Sequence, residues 1–272
     1  MAFQTYIPRA PLAYFVKWMW LSQGDPPSHR RERVLPNGTM QLLISLQEKT
    51  LRVYDRQKIN QFQSFPASVV VGMQSEYSII DTAPQASMIG VAFKPGGASP
   101  FFKCPANELQ EAHVPLESLW GAGASDLRDR LQEAQTPADK FRILEQFLIH
   151  RVVRPLELHP AVIYALSEFQ GVARLRTISQ VVDQMGFSAR RFIQLFHESV
   201  GLTPKLFCRI FRFQEVLRIL SDGHEIDWAE IALNCGYFDQ AHFIHDFRSF
   251  SGIHPTAYLA HRSEHVNHVP FF

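Results

Sequence analysis

The chain has 272 residues, 46% of them hydrophobic, and a net charge of only +1, which is enough length for two domains with a core each. No apolar run reaches the roughly eighteen residues a membrane helix needs, and the start, Met1-Ala2-Phe3-Gln4-Thr5-Tyr6, lacks the charged-then-apolar layout of a signal peptide. Three scattered cysteines, Cys104, Cys208 and Cys235, follow no metal-ligand spacing and read as reduced and buried in a cytoplasmic protein.

Residues 1 to about 103 read as mostly β. Short runs rich in Val, Ile and Leu predict strands over Met40 to Leu46, Leu51 to Tyr54, Ser68 to Val71, Tyr77 to Asp81 and Met88 to Phe93. Turn residues separate them, as in Pro36-Asn37-Gly38, Gln47-Glu48-Lys49, Gly72 and Thr82-Ala83-Pro84. Strands at this spacing suggest a sandwich or a barrel. An aromatic cluster, Tyr14, Phe15, Trp18 and Trp20, precedes them. Arg9, Trp18, Trp20, Arg33, Asn37 and Gln41 are candidate pocket residues, although aromatic side chains in a small β domain more often form core. Lys94-Pro95-Gly96-Gly97 lacks the Gly-Lys-Ser/Thr spacing of a phosphate loop and reads as a tight turn after a strand.

From Ala106 the pattern turns helical. Thr136-Pro137 starts a helix, with Thr as N-cap, Pro at the first position and Asp139 in the first turn. Its apolar residues Phe141, Leu144, Phe147, Leu148 and Val152 lie three and four apart, and it ends near Arg154-Pro155. Periodicity alone leaves two readings open, a dimer element or a helix packed on its own β domain. Pro155 to Pro160 is a short linker, and Ala161 to Phe169 is the next helix. The division expected is therefore 1–155, 156–262 and a tail, 263–272, without clear periodicity.

Within 156–262 one pattern occurs twice. Phe-x3-Phe-x4-Gly-x2-Pro reads Phe192, Phe196, Gly201, Pro204 and again Phe243, Phe247, Gly252, Pro255, the mark of a duplicated unit. Each copy opens with a short amphipathic helix, Ile178 to Met185 or Trp228 to Cys235, followed by a turn glycine, Gly186 or Gly236. A second helix then starts at a capping residue, Ser188 or Asp239. Its phenylalanines fix the buried face and leave Ala189, Arg190, Ile193 and Gln194, or Gln240, Ala241, Ile244 and His245, outside. A helix of that width fits the major groove of DNA and presents its N-terminal residues to base edges. Pro204 to Ser221 joins the copies as a helix of about 25 Å, against the ~34 Å of one DNA turn.

Net charge does not argue for nucleic acid, but its distribution does. Residues 171–221 hold eight basic side chains (Arg174, Arg176, Arg190, Arg191, Lys205, Arg209, Arg212, Arg218) against three acidic ones (Asp183, Glu198, Glu215). Residues 222–262 hold two (Arg248, Arg262) against six (Asp222, Glu225, Asp227, Glu230, Asp239, Asp246). Phosphate neutralisation supplies much of the affinity for DNA, so copy one is expected to anchor and copy two to read with less affinity.

These segments carry a family resemblance. Met185-Gly186-Phe187-Ser188, Gly201-Leu202-Thr203-Pro204, Arg212-Phe213-Gln214, Ile231-Ala232 through Gly236-Tyr237, Asp239-Gln240, His242-Phe243 and Gly252-Ile253-His254-Pro255 with Tyr258 resemble the DNA-binding domain of AraC/XylS-family transcription regulators. The N-terminal part resembles an uncharacterised domain found on some AraC-type regulators, through Val34-Leu35-Pro36-Asn37-Gly38, Val71-Gly72 and Phe93-Lys94-Pro95-Gly96-Gly97. The fold this implies is α+β in two domains: an N-terminal, mostly β domain with a helical extension, a cupin-like barrel in better-known relatives, and an all-α double helix-turn-helix.

The function implied is a sequence-specific regulator reading two successive major grooves. The DNA-contacting residues expected are Ser188, Ala189, Arg190, Arg191, Ile193, Gln194, Lys205, Arg209, Arg212, Gln240, Ala241, Ile244 and His245. His245 stands where the family often has Arg, and Leu259 where Arg often follows the Tyr; the charge of a histidine there would respond to pH near 6.5. Double-stranded DNA is the partner, and a small-molecule effector, RNA polymerase and a second copy are candidate partners. No cofactor or metal is expected. The alternative function is a co-regulator acting through protein contacts, which the acidic second copy favours. An enzyme is not indicated: His29, His113, His150 and His159 are dispersed, and no paired carboxylates or Cys/His set occur. His261, His265 and His268 would align as metal ligands only in a helical tail, and an unstructured tail explains them as well.

Overall fold

The structure, a computed structural model, describes residues 2–170, 177–186, 188–221, 226–263 and 265–271. Its N-terminal strands are β1 (Ala2–Tyr6), β2 (Val16–Gln23), β3 (Arg31–Val34), β4 (Gln41–Ser45), β5 (Thr50–Tyr54), β6 (Phe62–Pro66), β7 (Ser68–Val71), β8 (Ser78–Asp81), β9 (Ser87–Phe93) and β10 (His113–Pro115). Helices α1 (Leu116–Trp120), α2 (Gly123–Glu133) and α3 (Pro137–His150) follow. The strands expected from the Val/Ile/Leu runs are present as β4, β5, β7, β8 and β9.

They form two antiparallel sheets, β1-β2-β9-β4-β7-β10 and β11-β3-β8-β5-β6, where β11 is His268–Phe271. Alternation along the first sheet divides its side chains. Leu42, Ile44, Val70, Ile89 and Val91 enter the main core with Leu127, Leu144 and Leu148. Leu43, Val69, Val71 and Met88 face the other way and meet Leu51, Val53 and Phe65 of the second sheet. Trp20 joins that inter-sheet cluster by lying flat on Gly90, where any Cβ would collide with the indole.

Of the sandwich and barrel readings, the described residues form two open sheets and no closed, cupin-like barrel. The outer edge of β3 is occupied by β11, with Val269 opposite Arg33 and His268 opposite Val34. The tail, expected to be unstructured, thus returns more than 200 residues along the chain to complete an N-terminal sheet. Four residues of strand carry too little periodicity to be read without their partner edge.

Of the two readings for α3, packing on its own domain is what the structure shows. Phe141, Leu144 and Leu148 are buried, Phe141 stacks on Tyr6 at 5.4 Å, and Tyr6 donates to Glu145 at 3.0 Å. Thr136 caps α3 by accepting from the Asp139 amide at 3.1 Å, as its sequence predicts. Buried Lys140 reaches back to donate to the carbonyls of Leu131 and Ala134 at the end of α2.

The rest is helical: α4 (Pro160–Gln170), α5 (Ile178–Asp183), α6 (Ala189–Val200), α7 (Pro204–Ser221), α8 (Trp228–Asn234), α9 (Gln240–Ser251) and α10 (Pro255–His261). One apolar core runs unbroken from β2, β4 and β9 through α3 into these helices. Loops at one end of the N-terminal sheets seat the helical part. Pro36 accepts from Gln214 of α7 at 2.7 Å, Gly38 lies against Ile210, and Gly96 lies against Leu158. Lys94 donates to the Ala13 carbonyl at 2.7 Å and Gly97 closes a turn onto Lys94 at 2.7 Å, so this motif is a turn with its lysine engaged.

Candidate nucleic-acid interface

Each of the two repeats builds the same object. In the first, Thr177 and Gln180 form a reciprocal capping box at the start of α5, Gly186 turns the chain at φ +68°, and Ser188 caps α6 by accepting from Arg191 at 3.3 Å. In the second, Asp227 caps α8, Gly236 turns at φ +77°, and Asp239 caps α9 by accepting from His242 at 2.7 Å. Phe187 and the basic pair Arg174 and Arg176 lie outside the described residues, as do Asp222 and Glu225. Both second helices end at left-handed glycines, Gly201 at φ +91° and Gly252 at φ +70°.

The buried faces are aromatic. Phe192, Phe196, Phe243 and Phe247 are fully buried. Phe196 meets Phe169 of α4 and Phe207 of α7, while Phe247 meets Phe213 of α7 and Tyr258 of α10, at 5.2–5.9 Å. Burying those rings leaves the N-terminal halves of α6 and α9 outside. Ser188, Ala189, Arg190, Arg191, Ile193 and Gln194 are all exposed, and so are Gln240, Ala241 and His245, with Ile244 half-buried. Gln194 donates to Glu198 one turn on, at 2.8 Å. Lys205 is exposed at the start of α7.

The two arginines of α7 among the expected contacts are engaged inside the protein. Arg209 forks onto Asp246 of α9, with Nη2 at 2.7 Å from one oxygen and Nε at 3.3 Å from the other, and lies over Phe250 at 5.1 Å. Asp246 is 2% exposed. Arg212 donates to the Gly236 carbonyl at 3.1 Å and lies over Tyr237 at 5.2 Å. Arg218 pairs with Glu215 at 2.8 Å. A sequence signal for the first pair existed. Asp246 follows Phe243 by three residues and precedes Phe247 by one, so helical spacing places it on the buried side, where a carboxylate requires a cation.

The exposed charges of the two copies differ. Arg190 and Arg191 stand free of ion pairs among the described residues, at the N-terminus of α6. In the second copy Asp227, Glu230 and Asp239 are exposed, and the first two line a hollow with Trp228 and Gln240. Sequence reasoning missed two exposed apolar residues there, Leu233 (65% exposed) and Phe238 (86%).

The cysteines form no disulfide; Cys235 is buried, but Cys104 and Cys208 are only half-buried, less than expected. Burial pushes the Cys208 thiol up to about 11. The candidate pocket residues are not gathered into one site. Trp20 is inter-sheet core, Arg33 lies over Phe271 and Tyr77, Asn37 accepts from Thr39 at 2.7 Å within its own turn, and Arg9 is exposed. His268 is engaged by Glu32, and the described residues hold no group of three or more His, Cys, Asp or Glu side chains suited to a metal. No helix among them is long and apolar enough to cross a membrane.

Comparison with known proteins agrees with this geometry. Residues 181–261 match a family described as "Helix-turn-helix domain", and residues 4–115 match a domain of unknown function, DUF6597. The chain thus carries a helix-turn-helix domain behind that N-terminal domain. An uncharacterised HTH-type transcriptional regulator of Haemophilus influenzae is 30% identical over 81 residues, which are 30% of this chain but only 27% of that protein. ToxT of Vibrio cholerae is 11% identical with a TM-score of 0.48, covering 96% of this chain and 98% of that one. A probable AraC family transcriptional regulator of Rhodopseudomonas palustris is 28% identical with a TM-score of 0.34, covering 38% of this chain and 96% of that one.

Proposed function

We propose that the protein is a sequence-specific DNA-binding transcription regulator, rather than an enzyme, whose helices α6 and α9 read two successive major grooves. The observation that carries this reading is the shared exposure of the N-terminal halves of α6 and α9, each presented by a capped helix-turn-helix whose phenylalanine face is buried. Ser188, Ala189, Arg190, Arg191, Ile193 and Gln194 would meet the first groove, with Lys205 on phosphate. Gln240, Ala241, Ile244 and His245 would meet the second. Arg209 and Arg212 act by holding α8 and α9 in place. The division into 1–155 and 156–262 is part of the proposal, with 263–272 as a strap between them.

The N-terminal domain is the proposed seat of small-molecule sensing and self-association. Its loops touch α6, α7 and α9, so any ligand that shifts those contacts changes DNA affinity by its differential binding energy. The acidic, apolar surface of the second copy, Asp227, Glu230, Leu233 and Phe238, favours a protein contact there as well, and RNA polymerase is the proposed partner. Titrating the protein into duplex DNA at low and moderate salt tests the reading: a binder that neutralises phosphates loses affinity steeply with salt. Salt-independent or absent binding, with a protein partner still held, would support the co-regulator instead.

A further inference from the structure

The N-terminal domain touches both reading helices at equivalent points through a single loop. That loop runs from Gly72 to Tyr77, between β7 and β8. At the C-cap of α6, a Cβ on Gly201 would come within 3.0 Å of Met73 Cγ and 3.1 Å of the Ala106 carbonyl. At the C-cap of α9, a Cβ on Gly252 would collide with the ring of Tyr77. Both glycines are at positive φ, so they already serve as helix ends. Their missing side chains also let the loop approach the backbone directly.

The loop is built to be rigid. The Gly72 amide donates to Ala112 at 3.0 Å, the Glu111 amide donates to Met73 at 2.9 Å, and the Ser75 amide donates to the Glu111 carboxylate at 2.8 Å. Met73 is 1% exposed. Arg33 and Arg56 flank the Tyr77 ring, each at 5.7 Å, and Arg56 pairs with Glu76. The neighbouring segment adds a third tie to α6, between His197 and Gln110 at 2.8 Å.

We propose that the Gly72–Tyr77 loop is a splint that sets the distance and angle between the two reading helices, with Met73 and Tyr77 as positioning residues for two-groove recognition. The proposal rests on the DNA-binding reading above. The loop grips the C-terminal ends of α6 and α9 and leaves the N-terminal halves exposed. It therefore ties the two helices together without covering the surface offered to DNA. Within the helical part they are joined through α7, and the splint closes a second path between them.

A bivalent reader on a rigid frame favours one separation of its two target blocks, whereas a loosened frame tolerates several. The test measures full-length protein on duplexes whose two blocks are moved one base pair closer or further apart, and on a single block. Wild type is expected to prefer one spacing by at least about tenfold. In Tyr77→Ala, and more so in Met73→Ala with Tyr77→Ala, that preference should fall below about threefold, with single-block affinity unchanged. Retention of the wild-type preference by Tyr77→Ala would overturn the splint. Amide hydrogen exchange, read without DNA, gives an independent measure. The Gly201 and Gly252 amides, which close the last turns onto His197 and Arg248, should exchange faster in Tyr77→Ala. Unchanged exchange at both would also overturn the proposal. Wild type that binds no block would refute the DNA reading and with it the role in two-groove recognition, while faster exchange in the variant would still show that the loop braces the two helix ends.

Discussion

Arg209 on α7 and Asp246 on α9 form a two-pronged ion pair that fastens the second reading helix to the long connecting helix. Hydrogen bonding to Asp246 raises the Arg209 pKa above its ordinary value, burial opposes this, and the Asp246 charge adds to the rise. Removing the cation strands a carboxylate that is almost wholly buried. Arg209→Ala should therefore cost about 3 kcal/mol of stability, at the low end for a broken buried pair because Arg209 is partly exposed. Arg209→Lys should recover only part, since an ammonium cannot fork onto both oxygens. Thermal unfolding checks this; an Arg209→Ala protein as stable as wild type but weaker on DNA would place Arg209 on phosphate instead.

Arg190 and Arg191 are exposed at the mouth of α6 and hold no structural bond through their side chains among the described residues. Substituting both by Ala should leave unfolding unchanged and reduce the salt dependence of binding by about two phosphate contacts. The corresponding change in the second copy, Gln240→Ala with His245→Ala, should cost less affinity, because that surface carries Asp227, Glu230 and Asp239. Equal losses from the two pairs, in a binding titration at fixed salt, would remove the distinction between anchor and second reader.

Glu32 is 3% exposed and accepts from His268 at 2.6 Å, with Gln85 and His29 also on its carboxylate. Burial pushes its pKa up, but the hydrogen bond and charge of His268 and the bonds from Gln85 and His29 outweigh burial and hold it below the usual carboxylate range. A carboxylate with a depressed folded pKa contributes stability above the ordinary range and loses it as pH falls through the folded value. Glu32→Ala should cost about 2 kcal/mol and raise amide exchange across His268–Phe271, because β11 loses its polar latch. Unchanged exchange in that strand would show that pairing with β3 suffices alone.

His113 sits on β10 with its ring 5.3 Å from Phe65, and burial pushes its pKa from 6.5 down to about 4. Above pH 6.5 the ring is neutral in both folded and unfolded chains. As pH falls below that, the unfolded chain takes up a proton the folded chain resists, so stability drops until about pH 4, by on the order of 3 kcal/mol. His113→Phe should flatten this part of the stability profile in urea unfolding at several pH values. An unchanged slope would assign the acid sensitivity to other groups.

The double helix-turn-helix was legible because its determinants are local. Ser188 and Asp239 cap, Gly186 and Gly236 turn, and phenylalanines four apart mark the buried face, all within about 20 residues. Strands β4, β5, β7, β8 and β9 were legible as Val/Ile/Leu runs between turns. Strands β3 and β6 were not, since Arg31-Glu32-Arg33-Val34 and Phe62-Gln63-Ser64-Phe65-Pro66 become strands only through their pairing partners. β2 was visible only as an aromatic cluster. The loops around Asn37, Gly72 and Gly96 read correctly as turns, but what they hold is more than 60 residues further along the chain, at Gln214, Gly201 and Leu158. The engagement of Arg209 was hidden for the same reason, as its carboxylate lies 37 residues on.

The measurement that bears most directly on the central claim is a selection from random duplex DNA with the full chain and with residues 156–272, at two salt concentrations. The account predicts enrichment of two short blocks about 10 base pairs apart, with the block bound by α6 contributing more. No enrichment by either protein at either salt would contradict it and leave the second helix-turn-helix as a surface for protein contacts.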